Sequence, residues 1–572
     1  MTHASTQRYF TRRVKRGGLT LALACGLLAA GAAPLQARQQ AAAASPHLRR
    51  QGTATQLIVG GRPFLVRGGE LGNSSSSSVE YMRPIWPKLA AMKLNTVVIP
   101  VYWELIEPVE GRFDFQLVDD LLRDARQHGL KLVPLWFASW KNSMSTYAPA
   151  WVKHDQQRFP RSQDRAGRGI EILSTFSREN MEADGRAFAA FMRHLREVDA
   201  REQTVIMVQV ENEIGMIPDS RDRSPAADKL YGGPVPAELL SYLEKNKEAL
   251  TPELRAAWGA SGWKTRGTWE EVFGRGIATE EIFMAWYFAR YTDRVTELGK
   301  AEYRIPMFVN AALIRPGYQP GQYPSAGPLP HLLDVWRAGA PQIDFLSPDI
   351  YFPNFIEWAR RYQVSGNPLF IPEVQLGPQN SVQALYAFGR HDAIGFCPFS
   401  IESAEGRASE LLTAGYDLVE QLTPLIVEHQ GKGAMAGLLA EGSEPQRVPQ
   451  QLRLGGYKLS VTYERPSSAP PAQANPGAAP PAQTNDTPSG GLVINTGPDE
   501  FVVAGTGLVV VFEADSPGDQ NVGIMSAQEG KYVNGRWTPG RWLNGDQTHQ
   551  GRHIRLPSGR FDIQRVKLYR YR

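Results

Sequence analysis

The 572-residue sequence predicts an α/β protein: a (β/α)8 TIM barrel followed by an all-β, sandwich-like C-terminal domain. Three observations predict it. Eight short apolar runs alternate with helical periodicity between about residues 54 and 430. The runs are continuously apolar rather than alternating. Past about residue 431 the pattern changes to short alternating strands with glycine turns. Continuous apolar strands separated by helices imply a parallel sheet covered on both faces, and eight such units suit a closed barrel. A doubly wound open sheet is the alternative topology.

From the N-terminus, residues 1–37 read as a cleavable export signal, placing the mature chain in the periplasm or outside the cell. The basic residues Arg8, Arg12, Arg13, Lys15 and Arg16 precede an apolar run at 19–33, and Ala37 offers a small residue for cleavage. Arg12-Arg13 makes the twin-arginine route an alternative, and Cys25 within the run makes lipidation another. The run is shorter than the ~20 residues a membrane span needs, and no later segment reaches that length. The whole chain carries +4, but those five basic residues stand without an acid, so the remainder carries −1. A near-neutral chain gives no support to nucleic acid or an anionic membrane as partner.

A polar leader runs to about residue 53. A hairpin at 56–69 turning at Gly60-Gly61 then leads into the first strand. The barrel strands are expected at 64–69, 96–103, 130–138, 205–213, 305–311, 343–351, 369–374 and 394–400, with helices such as 81–92, 115–128 and 180–198 between them. The fourth and fifth strands are joined by a helical insertion, about 216–304, expected over the strand C-terminal ends. The all-β region spans 431–572, with strands at 452–463, 492–496, 501–512 and 560–571. Within it, the Pro/Ala/Gly/Ser-rich stretch 466–491 holds too little apolar area to order itself.

The chemistry must come from carboxylates. There is no His/Cys cluster at metal-ligand spacing, no phosphate-binding glycine loop and no Gly-x-Ser-x-Gly elbow, so no metal or cofactor is expected. Cys397 sits in an apolar run and reads as a buried, inert thiol. The fourth strand ends in VQVENEIG, residues 208–215, where two carboxylates flank an amide. Alternation puts Gln209, Glu211 and Glu213 on one face, toward the barrel interior, with Glu213 at the mouth. Bringing Asn212 into the site then requires a bulge or sharp twist. Glu373 stands at the mouth end of the seventh strand. Two acids at one barrel mouth are what glycoside hydrolysis needs, although a salt-bridged glutamate pair capping a strand would leave the same local sequence.

The order and spacing of VQVENEIG, Gly61-Arg62-Pro63-Phe64, Lys93-Leu94-Asn95-Thr96-Val97, Trp103 and Glu107-Pro108 resemble glycoside hydrolase family 35 over residues 56–400. Residues 431–572 resemble the β-rich C-terminal domain of a bacterial branch of these enzymes. The resemblance implies that Glu213 is the acid/base, Glu373 the nucleophile, and Asn212 a partner of the sugar 2-hydroxyl. It also implies that Tyr351, ending strand six, hydrogen-bonds the nucleophile. The chain departs from that family after strand three. There WFASWKN, 136–142, replaces a galactose-holding Cys-Ala-Glu segment and is closer to family 42 β-galactosidases; Pro100 also replaces a tyrosine. Glu70 and Asn73 after strand one, Asn310 on strand five, and Trp103, Trp136 and Trp140 as stacking platforms complete the expected sugar-binding set. Glu402 reads as a loop salt bridge. The expected activity is a retaining exo-β-galactosidase acting on galactosylated oligosaccharides, with xyloglucan side chains ahead of galactan or pectin side chains. The alternatives are another exo-β-glycosidase, such as a glucosidase or fucosidase, and a non-catalytic carbohydrate-binding barrel.

Overall fold

In a computed structural model, describing residues 44–364, 366–442, 448–464, 487–515 and 521–572, eight parallel strands close into a barrel. They are β1 (Val66–Glu70), β2 (Thr96–Tyr102), β3 (Lys131–Lys141), β4 (Val208–Asn212), β5 (Met307–Ala312), β6 (Phe345–Ile350), β7 (Phe370–Val374) and β8 (Gly395–Pro398). All eight fall where the apolar runs lie, and they close on themselves instead of forming a doubly wound open sheet. The expected signal at 1–37 and most of the 466–491 stretch lie outside the described residues. The last two residues of that stretch, Gly490 and Gly491, instead begin a strand. A Cβ on Gly491 would stand 2.1 Å from the Ala504 carbonyl oxygen, so only glycine fits there.

The barrel floor is packed and its mouth is polar. Val66, Phe308, Phe345 and Phe370, near the N-terminal ends of their strands, pack with Leu57 and Val59 from the strand Ala54–Val59, which plugs that end. Chemistry is thereby confined to the opposite, C-terminal end, as in barrel enzymes generally. Outward residues such as Val97, Trp136, Val208 and Val210 bury against the helices. Among these are α1 (Arg178–Asp199) and α2 (Ile277–Glu302). Between β4 and α2 lie four short helices: Pro225–Tyr231, Ala237–Lys245, Pro252–Ala260 and Trp269–Phe273. Farther on, α3 (Phe355–Tyr362) follows β6, α4 (Asn380–His391) follows β7 and α5 (Gly406–His429) follows β8. No helix among the described residues is long and apolar enough to cross a membrane.

The strands past residue 430 form two antiparallel sheets. They are β9 (Met435–Leu439), β10 (Gln450–Leu454), β11 (Tyr457–Tyr463), β12 (Gly490–Gly497), β13 (Glu500–Thr506), β14 (Leu508–Ala514), β15 (Asn521–Val533), β16 (Arg536–Trp542), β17 (Ile554–Leu556) and β18 (Asp562–Tyr571). The sheet orders are β9-β12-β13-β18-β15-β16 and β10-β11-β14-β17. Leu438, Leu459, Val503, Val510 and Val566 fill the space between them. The apolar run 501–512 is two strands in different sheets, because Gly507, at φ +65°, turns the chain from one layer to the other. Residues 43–572 make one contact unit, with no break between barrel and β sheets.

Candidate active site

The end of β4 carries the distortion that Asn212 demands. Glu211 sits at φ +61° and Glu213 at φ +44°, both in the left-handed region that non-glycine residues seldom occupy. The Gln209 side-chain amide donates to the Glu211 carbonyl at 3.0 Å and so supports the turn. On the neighbouring strand, Trp136 pairs with Val210 but the next pair is Lys141 with Asn212, so β3 bulges between them. Glu211 fills that bulge. Its carboxyl accepts from the backbone amides of Ser139 at 3.3 Å and Trp140 at 2.7 Å. It also hydrogen-bonds Asp184 of α1, which receives the Trp136 indole N–H at 2.9 Å and the Ser139 hydroxyl at 2.6 Å. Burial, then the neighbouring Asp184 charge, holds the Glu211 carboxyl well above the ordinary range, so the two acids share a proton. Glu211 therefore faces the helices. The interior placement expected from alternation is corrected, because the left-handed backbone reverses its direction.

The same turn sends Asn212 inward, where both side-chain amide atoms are buried without a partner among the described residues. Glu213 follows, 5% exposed. Its backbone N–H donates to Asn310 Oδ1 at 3.0 Å and its carbonyl accepts from Ser143 N–H at 3.1 Å. Asn310 in turn donates to Asp349 of β6 at 2.6 Å, so it positions the two acids. Across the mouth, Glu373 is 4% exposed and accepts a hydrogen bond from the Tyr351 hydroxyl on Oε1. Single oxygens of Glu213, Asp349 and Glu373 all lie within 4.8 Å of one another. Glu70, fully buried at the end of β1, stands beside Glu373.

One buried cation serves these four acids. Lys141, 7% exposed at the end of β3, lowers the pKa of Glu70, Glu213, Asp349 and Glu373 alike. Burial opposes it at every one. Burial and the charge of Glu373 raise Glu213 to about 7, and hold Glu70 and Asp349 well above the carboxylate range. Glu373 is raised too, but Lys141, the Tyr351 hydroxyl and a hydrogen bond from protonated Glu70 counter its burial. Unlike the other three, Glu373 has no neighbouring acid raising it, so its charged form is the best supported of the four. Among the described residues, Glu213, Asp349 and Glu373 are also the cluster whose oxygens are near enough to share a cation, but Lys141 already supplies positive charge there.

Other expected residues divide. Asn73 adjoins the mouth: its carbonyl accepts the Tyr102 hydroxyl at 2.8 Å and its Oδ1 is buried and unpartnered. The Glu402 carboxyl holds this loop by accepting from Gly72 N–H and the Ser75 hydroxyl, a hydrogen-bonded clamp rather than a salt bridge. Trp103, Trp136 and Trp140 do not line the mouth; each is fully buried on the helix side. Trp103 donates to Glu107, Trp136 to Asp184 and Trp140 to the Leu173 carbonyl, so no ring face is open to a sugar. Cys397 is buried beside Gly68, where a Cβ would meet its sulfur at 2.4 Å. Lys141 and Asp349 escaped the sequence reading. Asp349 lies two residues before Tyr351, so alternation alone could have placed it in the site.

A family model described as beta-galactosidase (glycoside hydrolase family 42) matches residues 78–292, and a domain of unknown function matches residues 412–555. The sequence match is thus to family 42 and not to the family 35 that the motif order resembles. A β-galactosidase of Xanthomonas manihotis is 29% identical over 208 residues, covering 35% of this chain and 30% of that protein. One of an Arthrobacter species is 26% identical over 183 residues, covering 32% and 24%. The chain therefore spans less than a third of either curated relative. The crystal structure of a β-galactosidase from the psychrophilic Marinomonas ef1 superposes at a TM-score of 0.43 with 15% identity, covering 64% of this chain and 60% of that one.

Proposed function

We propose that this chain is a retaining exo-β-galactosidase releasing terminal β-D-galactosyl residues from oligosaccharides or polysaccharides. The observation that carries the reading is the pairing of Glu213 and Glu373, buried at two strand ends with oxygens within 4.8 Å. Retaining glycosidases hold their carboxyl groups about 5–5.5 Å apart, whereas inverting ones need about 6.5–9.5 Å to admit a water. The partial match to a β-galactosidase model supports the substrate class, and family 35 motif residues support the roles.

In this reaction ionised Glu373 attacks the anomeric carbon while protonated Glu213 donates to the departing oxygen. The glycosyl ester so formed removes the negative charge that raises Glu213, whose pKa falls as its role changes from acid to base. Glu213 then takes a proton from water as that water cleaves the ester, restoring both groups. Asn212, its amide unspent, meets the sugar 2-hydroxyl. An exported enzyme of this kind would work in the periplasm or outside the cell, with galactosylated xyloglucan side chains as its first substrate class.

NMR of the first product tests the reading: retained configuration is expected, and an inverted first product would overturn it. Glu373→Ala should lower kcat roughly 10⁴-fold or more. Added azide should restore cleavage with α-galactosyl azide as product, since azide takes the place of the Glu373 carboxylate. Glu213→Ala with azide should give the β-azide instead.

A further inference from the structure

Beside the catalytic carboxylates, a cavity of about 370 Å³ opens at the C-terminal ends of β6 and β7. Its size falls within the range of small-molecule sites. Tyr351, whose hydroxyl holds Glu373, forms part of its wall, and Gln375 enters it two residues after Glu373. Through Tyr351 the cavity thus adjoins the site where the glycosidic bond would break. Its far wall comes from outside the barrel: Leu439, Ala440, Glu441 and Gly442, at the end of β9.

This wall is built rather than incidental. Helix α3 begins at Phe355, and its N-cap residue Asn354 makes no side-chain cap. Glu441 supplies it, accepting the Ile356 N–H on Oε1 at 2.7 Å, which satisfies an orphan donor at the positive end of the helix. The polar groups facing the cavity are amides. Among the described residues, no hydrogen bond engages the side chains of Gln375 and Gln379. Gln383 accepts from Asn380 at 3.1 Å and keeps its two N–H donors free. Each amide offers donor and acceptor together, the combination that hydroxyl groups need. Phe352 adds an aromatic surface, and among the described residues no Lys or Arg lines the cavity. With one carboxylate and no cation, the lining disfavours phosphate or uronate groups and suits a neutral polyhydroxy ligand.

From this we infer that the cavity is a subsite for a neutral sugar of the leaving group, with the β region contributing one of its walls. The inference rests on the glycosidase reading above and adds to it where the aglycone sits and what charge it carries.

The test is the double variant Gln375→Ala/Gln379→Ala, assayed on a nitrophenyl β-galactoside and on galactose β-linked to a neutral trisaccharide. A subsite predicts a loss of tenfold or more in kcat/KM on the oligosaccharide, chiefly through KM, with the nitrophenyl substrate unchanged within twofold. Equal effects on both substrates would overturn it. If wild type cleaves no galactoside, the galactosidase reading falls. The cavity is then judged by calorimetric titration of the trisaccharide alone into wild type and double variant. Binding at least tenfold weaker in the variant upholds the subsite, and equal or absent binding in both overturns it.

Discussion

Glu70, Glu213, Asp349 and Glu373 are almost fully excluded from water, and burial pushes all four toward the neutral form. Glu373 departs from the others because no neighbouring acid raises it, while the ammonium of Lys141, the Tyr351 hydroxyl and protonated Glu70 favour its charge. The proposed reaction needs Glu373 ionised and Glu213 protonated. Activity should therefore fall on the acid side as Glu373 takes up a proton, and on the basic side as Glu213 loses one near pH 7. Tyr351→Phe removes a donor to the ionised form, so the Glu373 pKa rises and the acid limb moves to higher pH. The bell of kcat/KM against pH should narrow from that side only. A hydrogen bond to a charged acceptor contributes about 1.5–3 kcal/mol, so kcat/KM at the optimum should drop roughly 10- to 100-fold. An acid limb that stays in place would show that Tyr351 does not tune Glu373. The same raised values cost stability as the pH rises. A carboxyl whose folded pKa exceeds its unfolded one contributes fully below the unfolded value and loses that contribution as the pH passes the folded one. For Glu213 this window runs from 4.5 to about 7.

The bulge of β3 and the left-handed end of β4 form one device, held together by the Glu211 carboxyl. It bonds two amides that the strand ladder leaves unpaired, and shares its proton with Asp184. Glu211→Gln keeps an acceptor for the amides and gives Asp184 a permanent donor, so stability should change by only about 1 kcal/mol and activity should survive. Glu211→Ala strands buried donors and an unpaired acid. It should cost on the order of 3 kcal/mol in urea unfolding and lower kcat at least tenfold, because Glu213 is next but one along the chain. Equal behaviour of the two variants would refute the account. The eight strands were legible because apolar runs bounded by helices leave little choice of partner, and Glu213 and Glu373 because a carboxylate ending such a run is costly without a use. The facing of Glu211 was not legible, since alternation assumes extended backbone and its φ of +61° breaks that assumption. The tryptophans are a different case. Leu135 and Phe137 point into the barrel, so alternation along β3 already turned Trp136 toward the helices. Lys141 acts through carboxylates delivered by four other strands, contacts that no local pattern announces.

Barrel and β sheets meet where α4 lies against β9 and β12, and the approach is close enough to need glycine on both sides. A Cβ at Gly437 would stand 2.4 Å from the Tyr386 carbonyl oxygen and 2.8 Å from the Arg390 nitrogen, while one at Gly389 would stand 2.8 Å from the Leu492 Cβ. Apolar side chains of β12 and β13, among them Leu492, Ile494, Val502 and Ala504, belong to the core that surrounds the barrel rather than to the one between the sheets. Neither part can lose the other without exposing that surface, so the described chain should unfold as one cooperative unit. Gly437→Ala tests this. The obstructing atoms are helix backbone, so the strand must retreat, at a cost of about 2–3 kcal/mol by the usual penalty for overpacking. Because Leu439 ends β9 and, with Ala440, Glu441 and Gly442, walls the cavity beside Tyr351, the retreat should also weaken cleavage of an oligosaccharide more than that of a nitrophenyl galactoside. Scanning calorimetry should show a single transition shifted down by a few degrees. Two separate transitions, with only the smaller one displaced, would mean that the β sheets fold independently and that their contact with the barrel is incidental to the site.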